Sequence, residues 1–215
     1  MERAWPCEGC EAPLPWDSPS HLVLGKNVGV LCPSCLGKAR EKRQAELLEA
    51  TGIPSHFRAK LATLERKPWP TDRPWLLIQG SVGAGKTHLA VEYGLALPDP
   101  RHLRFVFWPQ FMEDRKGAIG NAEKVDPLRE TQRWPHLLVL DDLGAETPGS
   151  WATESANLIL SHRYNENLRT IITTNLNGKE LEKLYGERIT SRIAGAAKVG
   201  TPGLKRDRRR RDEAA

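Results

Sequence analysis

The sequence predicts an α/β fold, a P-loop core with a parallel sheet, preceded by a small cysteine-rich module. Three observations predict it. A strand-type run enters a glycine-rich loop that opens a helix, two later apolar runs end in polar residues, and all four cysteines lie within the first 35 residues. Strands that alternate with helices form parallel sheets, whereas a short cysteine-rich stretch is typical of a metal-stabilised module.

The composition is that of a globular protein. The chain has 215 residues, of which 39% are hydrophobic and 27% charged, and its mean hydropathy is -0.51. This apolar fraction suffices for a core and excludes wholesale disorder. No apolar run approaches the roughly 18 residues of a membrane-spanning helix, and no signal-peptide core follows residues 1–3. We therefore expect a cytoplasmic protein without membrane contact.

The net charge of +5 is concentrated near the carboxyl end of the sequence. Residues 205–213 contain six basic and three acidic side chains, a net +3, which leaves +2 for everything before them. The body is thus nearly neutral, and residues 205–215 form a basic tail. Such a tail is compatible with nucleic-acid contact and equally with a solvated terminus.

Two CxxC pairs, Cys7 with Cys10 and Cys32 with Cys35, have the spacing of a four-thiolate zinc ribbon or knuckle. Each pair predicts a tight turn whose sulfurs converge on one side, and the 21 residues between the pairs let the second complete a tetrahedron. Two disulfides or a dithiol redox site are the alternatives, and a reducing compartment disfavours disulfides. Four protein ligands leave no position for a substrate, so the predicted Zn²⁺ is structural.

The region between the cysteines and the glycine-rich loop predicts helices and a linker. Residues 36–50 predict a helix that Gly52-Ile53-Pro54 ends. A second short helix is predicted over 54–65, and three prolines in 66–74 indicate a linker. We therefore expect four parts: a zinc-binding amino-terminal module with its following helix over 1–50, a connecting helix and linker over 51–74, an ATPase core over 75–204, and the basic tail over 205–215.

The strongest signal in the chain is a nucleotide site. Trp75–Gln79 is a strand-type run, Gly80–Thr87 matches G-x4-G-K-[ST] without a mismatch, and 88–97 is helical in pattern. Glycines let backbone N–H groups wrap a phosphate, and the helix N-terminus adds positive charge. Lys86 is expected at the β- and γ-phosphates and the Thr87 hydroxyl at Mg²⁺. The predicted nucleotide-binding residues of this segment are Gly80, Ser81, Val82, Gly83, Ala84, Gly85, Lys86, Thr87 and His88.

Two further strand-type runs supply the other groups that hydrolysis needs. Residues 136–140 lead into Asp141-Asp142, so Asp141 is expected to hold Mg²⁺ and Asp142 to orient and deprotonate the attacking water. Residues 168–174 lead into Asn175, whose amide is expected to contact the γ-phosphate and that water. Ligands bind where the carboxyl ends of parallel strands meet. Solvation of a loop by the carboxylates, and helix capping by Asn175, are the alternatives.

The order of these motifs resembles the DnaC/DnaI-type helicase loaders and the IstB-type transposition ATPases, one branch of the AAA+ superfamily. The similarity extends from Ile53 to about Arg209. It implies a five-stranded parallel sheet in the order 5-1-4-3-2, ATP and Mg²⁺ as ligands, and self-association on ATP binding. The segments that carry the resemblance are Gly83–Ala90, Leu138–Glu146, His162–Tyr164, Ile171–Leu176 and Gly186–Ile193.

The resemblance also implies an arginine that one subunit places at the γ-phosphate of its neighbour, so that hydrolysis depends on assembly. Arg192 is the first candidate by position and Arg188 the second. The two lie four apart, on one face of a predicted helix, and a solvated basic face is the alternative. Asp142 stands where AAA+ proteins more often carry Glu, which predicts slow turnover.

A cysteine ribbon ahead of the core separates the two branches. IstB-type proteins generally lack it, whereas DnaI-like loaders carry a small zinc-binding module that grips the replicative helicase. The resemblance therefore implies an ATP-hydrolysing loader that docks on a DnaB-like replicative DNA helicase and delivers it to single-stranded DNA, which the core binds weakly, during replication initiation. Two alternatives stay open: an IstB-like transposition helper ATPase, and a zinc-ribbon nucleic-acid-binding module whose nucleotide site is merely structural.

Overall fold

The computed structural model describes residues 5–8, 10–14, 21–24, 27–58, 64–119, 121, 124–146 and 149–202. The chain divides into two compact units, Met1–Leu48 and Glu49–Ala215. The predicted basic tail, 205–215, lies outside the described residues. None of the helices in those ranges is long and apolar enough to span a bilayer.

The first unit contains two short antiparallel hairpins followed by a helix. β1 (Trp5–Pro6) pairs with β2 (Pro13–Leu14), and β3 (His21–Leu24) pairs with β4 (Asn27–Val30). Helix α1 (Pro33–Ala50) then begins earlier than the predicted boundary at residue 36, with a proline at its first position. Proline suits that position because the first N–H groups of a helix have no intrahelical acceptor.

The cysteines of the first unit take part in its core. Cys7 and Leu31 are buried, and Cys32, Cys35, Leu36 and Ala39 pack against them. A unit of this length, Met1–Leu48, can bury little apolar surface by itself, so a module of this size usually needs an additional cross-link such as a metal ion.

The second unit is built on a five-stranded, fully parallel sheet. Read from the β9 edge and numbered along the chain from β5, its order is 5-1-4-3-2, which confirms the predicted sheet. The three central strands, β5, β7 and β8, are buried almost along their whole length, as expected for strands covered on both faces. The strands are β5 (Trp75–Gln79), β6 (Leu103–Phe107), β7 (Leu137–Asp141), β8 (Thr170–Thr174) and β9 (Ala197–Gly200).

Helices cover both faces of this sheet, because alternate strand residues point to opposite sides. On one face, α3 (Lys86–Gly94) forms one core with Ile53 and with Phe57 of α2 (Ser55–Arg58). On the other, four helices form a second and larger core. These are α4 (Trp108–Ala118), α6 (Ser150–Asn165), α7 (Gly178–Tyr185) and α8 (Glu187–Ala196), and α5 (Leu128–Arg133) packs on α6.

Some boundaries differ from the predicted ones for local reasons. Strand β8 begins at Thr170 rather than Leu168, because the Leu168 N–H donates to the Arg163 carbonyl and still belongs to the turn that ends α6. Helix α3 ends at Gly94, before the predicted residue 97. Of the helix predicted over 54–65, the structure describes the four residues of α2, and 59–63 lie outside the described residues.

The side chain of Arg163 is buried completely and fixes the amino ends of β7 and β8. Its guanidinium donates to Thr170 Oγ1 at 2.8 Å and to three main-chain carbonyls, those of Trp134, His136 and Arg169, at 2.7, 2.8 and 2.7 Å. Burial lowers the pKa of Arg163 to about 9. Since one side chain donates to carbonyls at both strand entrances, the arginine stabilises the two entrances at once.

Gly52 joins the segment after α1 to the edge strand β6. The Phe105 N–H donates to the Thr51 carbonyl at 2.6 Å, so β6 has a main-chain partner on its outer side. Gly52 has φ +78°, and a Cβ there would collide with the Phe105 carbonyl oxygen. Only glycine tolerates both this positive φ and the close approach of the Phe105 carbonyl oxygen.

Candidate functional site

The loop between β5 and α3 has the backbone that a phosphate-binding loop requires. Gly83 and Gly85 have positive φ values of 76° and 91°, a region that side chains with a Cβ disfavour. The Gly80 N–H donates to the Thr174 carbonyl at 3.3 Å and ties the start of the loop to β8. Lys86, which is the first residue of α3, is buried, whereas Val82 at the tip is 65% exposed.

Lys86 and Asn175 meet, although 89 positions separate them in the sequence. The Lys86 ammonium donates to Asn175 Oδ1 at 2.5 Å and to the Ser81 carbonyl at 3.0 Å. Asn175 directly follows β8, which is the neighbour of β5 in the sheet. The predicted lysine and amide therefore lie at the same edge of the sheet, facing one loop.

Asp141 is the last residue of β7 and lies opposite Thr87. The Thr87 hydroxyl donates to Asp141 Oδ2 at 3.1 Å, and the Thr173 hydroxyl donates to Asp141 Oδ1 at 2.7 Å. The carboxyl group is 3% exposed, and burial is the main reason that its pKa rises from 3.8 to about 6. A hydroxyl and a carboxylate oxygen this close form a donor set of the kind that Mg²⁺ prefers, so these two residues fit the ion.

Asp142 is held differently from its neighbour. Its φ is +61°, in the left-handed region, and its N–H donates to Thr173 Oγ1 at 2.9 Å. Its side chain is half-buried, and Asn175 Nδ2 lies 3.5 Å from Asp142 Oδ1, the outer limit for a hydrogen bond. The structure thus brings Lys86, Thr87, Asp141, Asp142 and Asn175 together at the carboxyl edge of the sheet.

The described contacts of His88 are with Glu92 and Phe57. His88 Nε2 lies 3.2 Å from Glu92 on the same helix, and Glu92 also pairs with Lys67 at 2.8 Å, which raises the pKa of Lys67. The predicted contact of His88 with nucleotide stays a prediction.

The two candidate arginines lie on α8 and differ in their surroundings. Arg192 is half-buried, donates to Ser161 Oγ on α6, and has its guanidinium 5.6 Å from the Tyr164 ring centroid. Arg188 is exposed. Among the described contacts, Arg192 has none with the phosphate-binding loop of its own chain, so its role there or at a neighbour's site stays a prediction.

Thr173 and Glu146 also contribute to the site, although no sequence motif assigns them a role. The Thr173 hydroxyl donates to the Asp141 carboxylate and accepts the N–H of Asp142. Glu146 accepts hydrogen bonds from the Gly144 N–H at 2.9 Å and from the Tyr185 hydroxyl at 2.5 Å. These bonds connect the loop that follows Asp142 to the end of α7. Burial, first, and this hydrogen bond raise the pKa of Tyr185. The available signal for Thr173 was a pair of threonines that directly follows two isoleucines in a buried strand.

The four cysteines of the first unit converge, as their spacing predicts. All four Sγ atoms lie within 4.8 Å of one another, and Cys10 Sγ is 3.8 Å from Cys32 Sγ. Tetrahedral thiolates about 2.3 Å from Zn²⁺ are about 3.8 Å apart, so the cluster fits this ion. Main-chain N–H groups of Cys32 and Cys35 donate to Cys7 Sγ and Cys32 Sγ at 3.2 and 3.4 Å, which favours thiolate ligands.

The four thiols lie too close together to ionise independently of one another. Hydrogen bonds from the Cys35 thiol to its neighbours, first Cys32 and then Cys10, raise its pKa to about 12. Four sulfurs this close cannot all ionise unless a cation compensates their charge. The donor set therefore suits a structural divalent ion.

Comparison with protein families and curated proteins gives consistent relatives. A family model described as "IstB-like ATP binding protein" matches residues 34–194. The chain is 27% identical over 109 residues to the replicative helicase loader DnaI of Bacillus subtilis (strain 168), a match that covers 50% of this chain and 35% of the relative. It is 25% identical over 120 residues to the replicative helicase loader DnaC of Buchnera aphidicola subsp. Acyrthosiphon pisum (strain APS), with 54% and 49% covered. The matches thus cover less than half the length of these relatives.

Solved structures agree on the fold. The crystal structure of the DnaC helicase loader has a TM-score of 0.52 and 28% identity, covering 68% of this chain and 86% of that chain. The replication initiator DnaA bound to AMPPCP and single-stranded DNA has a TM-score of 0.51 at 19% identity, covering 75% and 46%. At such identity the second likeness shows the fold alone.

Proposed function

The chain belongs to the family of IstB-like ATP-binding proteins, and we propose that it is an ATP-hydrolysing loader of a replicative DNA helicase. The observation that carries the proposal is the meeting of Lys86, Thr87, Asp141 and Asn175 at one sheet edge, in a chain similar to proteins named replicative helicase loaders. Family membership confirms the resemblance that the motifs indicate. The partner and the delivery of a helicase to single-stranded DNA belong to the proposal.

Each residue of the site has a distinct task in this proposal. The main-chain N–H groups of the loop and the Lys86 ammonium bind the β- and γ-phosphates of ATP, because they are the positive groups at the end of β5. Thr87 and Asp141 hold Mg²⁺, which supplies charge neutralisation at the phosphates when bound. Asp142, half-buried and anchored through its N–H, orients the attacking water, and Asn175 contacts that water and the γ-phosphate.

The first unit is the part that we assign to partner recognition. Cys7, Cys10, Cys32 and Cys35 hold a structural Zn²⁺, and this small module docks on the hexameric helicase. The core binds single-stranded DNA weakly, in the cytoplasm. Self-association on ATP binding brings an arginine of α8, Arg192 first and Arg188 second, to the γ-phosphate of the adjacent subunit, so that turnover follows assembly.

A binding experiment with purified helicase tests the proposal. We expect the wild-type protein to co-elute with the DnaB-like helicase of its own organism, and Cys7→Ser or Cys32→Ser to lose this complex while still binding ATP. Ser34→Ala is the matched control, because Ser34 lies exposed between two of the ligands and offers no thiol. Lys86→Ala is expected to retain zinc and lose ATP binding. If both cysteine variants bound the helicase as wild type does, the docking role of the module would be wrong.

A transposition helper is the second candidate, and the description of the matching family model favours it. That function predicts ATP-dependent filaments on duplex DNA and a stable complex with a transposase. Negative-stain images of the protein with duplex DNA and saturating ATP decide between the two. A third possibility, a nucleic-acid-binding module with a structural nucleotide site, predicts that Lys86→Ala supports cellular function.

A further inference from the structure

Thr173 occupies a buried position, where a threonine is unfavourable unless its hydroxyl forms hydrogen bonds. It lies in β8, which has β7 on one side and β5 on the other, and its side chain is fully buried. The preceding residues Ile171 and Ile172 are aliphatic and equally buried. A buried hydroxyl costs free energy unless it is hydrogen-bonded, whereas valine has the same shape and a higher apolar content.

The hydroxyl of Thr173 contacts both aspartates of the site at once. It donates to Asp141 Oδ1 at 2.7 Å and accepts the N–H of Asp142 at 2.9 Å. The Thr173 carbonyl in turn accepts the N–H of Leu143 at 2.9 Å. One residue of the neighbouring strand therefore holds three consecutive residues of the β7 terminus.

The two hydroxyl contacts constrain different degrees of freedom. Because Thr173 holds Oδ1 of Asp141, the plane of that carboxylate is fixed and its Oδ2 is turned toward Thr87, 3.1 Å away. Asp142 has φ +61°, in the left-handed region that residues with a Cβ disfavour. The bond from its N–H to Thr173 stabilises this conformation and thereby sets the direction of the Asp142 side chain.

We propose that Thr173 is a positioning residue that fixes the predicted magnesium ligand Asp141 and the predicted water-orienting residue Asp142 relative to each other. The inference rests on the proposed ATPase function. Thr173 acts through the two aspartates, which are the described partners of its hydroxyl. Its loss changes the arrangement of both groups while the phosphate-binding loop keeps its own contacts.

Thr174 provides a matched control within the same strand. It is buried to the same extent, and its hydroxyl also donates one bond and accepts one, to the Leu143 carbonyl at 2.6 Å and from the Leu176 N–H at 3.1 Å. Neither bond involves Asp141 or Asp142. Thr173→Val and Thr174→Val therefore remove equal numbers of buried hydrogen bonds, and a purely structural role predicts equal effects.

The experiment measures the binding of a fluorescent ATP analogue in EDTA and in Mg²⁺, followed by kcat and KM for ATP. We expect Thr173→Val to bind the analogue in EDTA as wild type does, within about twofold. We expect it to lose about 10–100-fold of the Mg²⁺-dependent gain in affinity and of kcat, the range for loss of a residue that orients a metal ligand. Thr173→Ser retains the hydroxyl and is expected to restore most of both. Thr174→Val is expected to match wild type in the affinity measured in EDTA, in the Mg²⁺-dependent gain in affinity and in kcat.

Circular dichroism and thermal unfolding establish the fold of each variant, and the ratio of the two affinities does not depend on the active fraction. Should Thr173→Val not fold, Thr173→Cys, whose thiol is a weak hydrogen-bonding group, takes its place. Equal Mg²⁺ dependence in the Thr173 and Thr174 variants, or a Thr173→Ser variant as impaired as Thr173→Val, would overturn this inference alone. A wild-type protein that binds no ATP in either buffer would overturn the proposed function and this inference with it.

Discussion

Replacing Asp141 with asparagine is expected to stabilise the nucleotide-free protein while abolishing its Mg²⁺-dependent ATP binding. The carboxyl group is 3% exposed, and burial disfavours its charged form. Asparagine has nearly the same shape and no charge. Its amide oxygen accepts from one of the two threonine hydroxyls, and its NH₂ group donates to the other.

The size of the effect follows from the pKa. Its rise from 3.8 to about 6 corresponds to about 3 kcal/mol at pH values well above 6. The folded-state pKa is the higher one, so this group's stabilising contribution is complete below about pH 3.8 and is lost as the pH rises through about 6. At pH 7.5, Asp141→Asn should therefore raise the free energy of unfolding by about 2–3 kcal/mol, or Tm by about 5–10 °C.

Urea denaturation in EDTA, at pH 7.5 and pH 5, measures this difference. At pH 5 the wild-type carboxyl is largely protonated in the folded state, so the advantage of Asp141→Asn should fall to about half. Asp142→Asn is the control, because Asp142 is half-buried and its charge is a lesser cause than burial of the raised pKa of Asp141, so its neutralisation should stabilise the protein much less than Asp141→Asn does. An Asp141→Asn protein no more stable than wild type at pH 7.5, or an advantage that is the same at both pH values, would refute the reasoning.

Three further predictions concern stability and metal content. Arg163→Met removes a donor from the Trp134 and His136 carbonyls and one of two donors from the Arg169 carbonyl, which also accepts the Leu138 N–H. It should lower the free energy of unfolding by about 2–4 kcal/mol, measured by urea denaturation; a loss below about 1 kcal/mol would contradict the role given to its hydrogen bonds. Gly52→Ala should cost about 2 kcal/mol or more, since its φ is +78° and Phe105 blocks a Cβ, whereas Gly178→Ala, with open space around its Cβ position, should be neutral or stabilising. Chelation should release one Zn²⁺ per chain, detected by a colorimetric zinc indicator, and unfold the first unit while ATP binding persists; Cys7→Ser should contain none, and wild-type protein purified without metal would contradict the site.

The parts that the sequence predicts well are those specified by short, contiguous patterns. The phosphate-binding loop is one, because its glycines, Lys86 and Thr87 follow one another and the strand and helix on either side are continuous with them. The clustering of the four cysteines is another, since each pair is local and the tetrahedron follows from the spacing. The sheet order came from the resemblance, and the structure confirms it.

The parts that the sequence could not predict depend on contacts between distant segments. Arg163 belongs to a segment that carries the family resemblance, but only the packing of α6 against the entrances of β7 and β8 shows that it is buried. The task of Thr173 depends on the register of β7 against β8, which no local pattern encodes. The region 113–133 shows no periodicity for a similar reason. There Arg115 is buried between Asp126, Ser155 and the Trp151 ring, so a charged residue takes a core position.

Asp141 and Asp142 show how adjacent identical side chains acquire different properties. Asp141 ends a strand that is buried along its whole length, so its carboxylate is desolvated and held by two hydroxyls. Asp142 turns into the left-handed region one residue later and leaves the sheet, so its carboxylate is half-exposed. Burial of the Asp141 carboxylate destabilises the protein without a cation. A bound cation compensates this cost, because the charged form of the carboxyl group then has a partner. The same burial should therefore make Mg²⁺ binding at Asp141 depend on pH near 6 and couple it to global stability. Changes at Asp142 should alter turnover and have a much smaller effect on the unfolding free energy, since the charge of Asp142 is a lesser cause than burial of the raised pKa of Asp141.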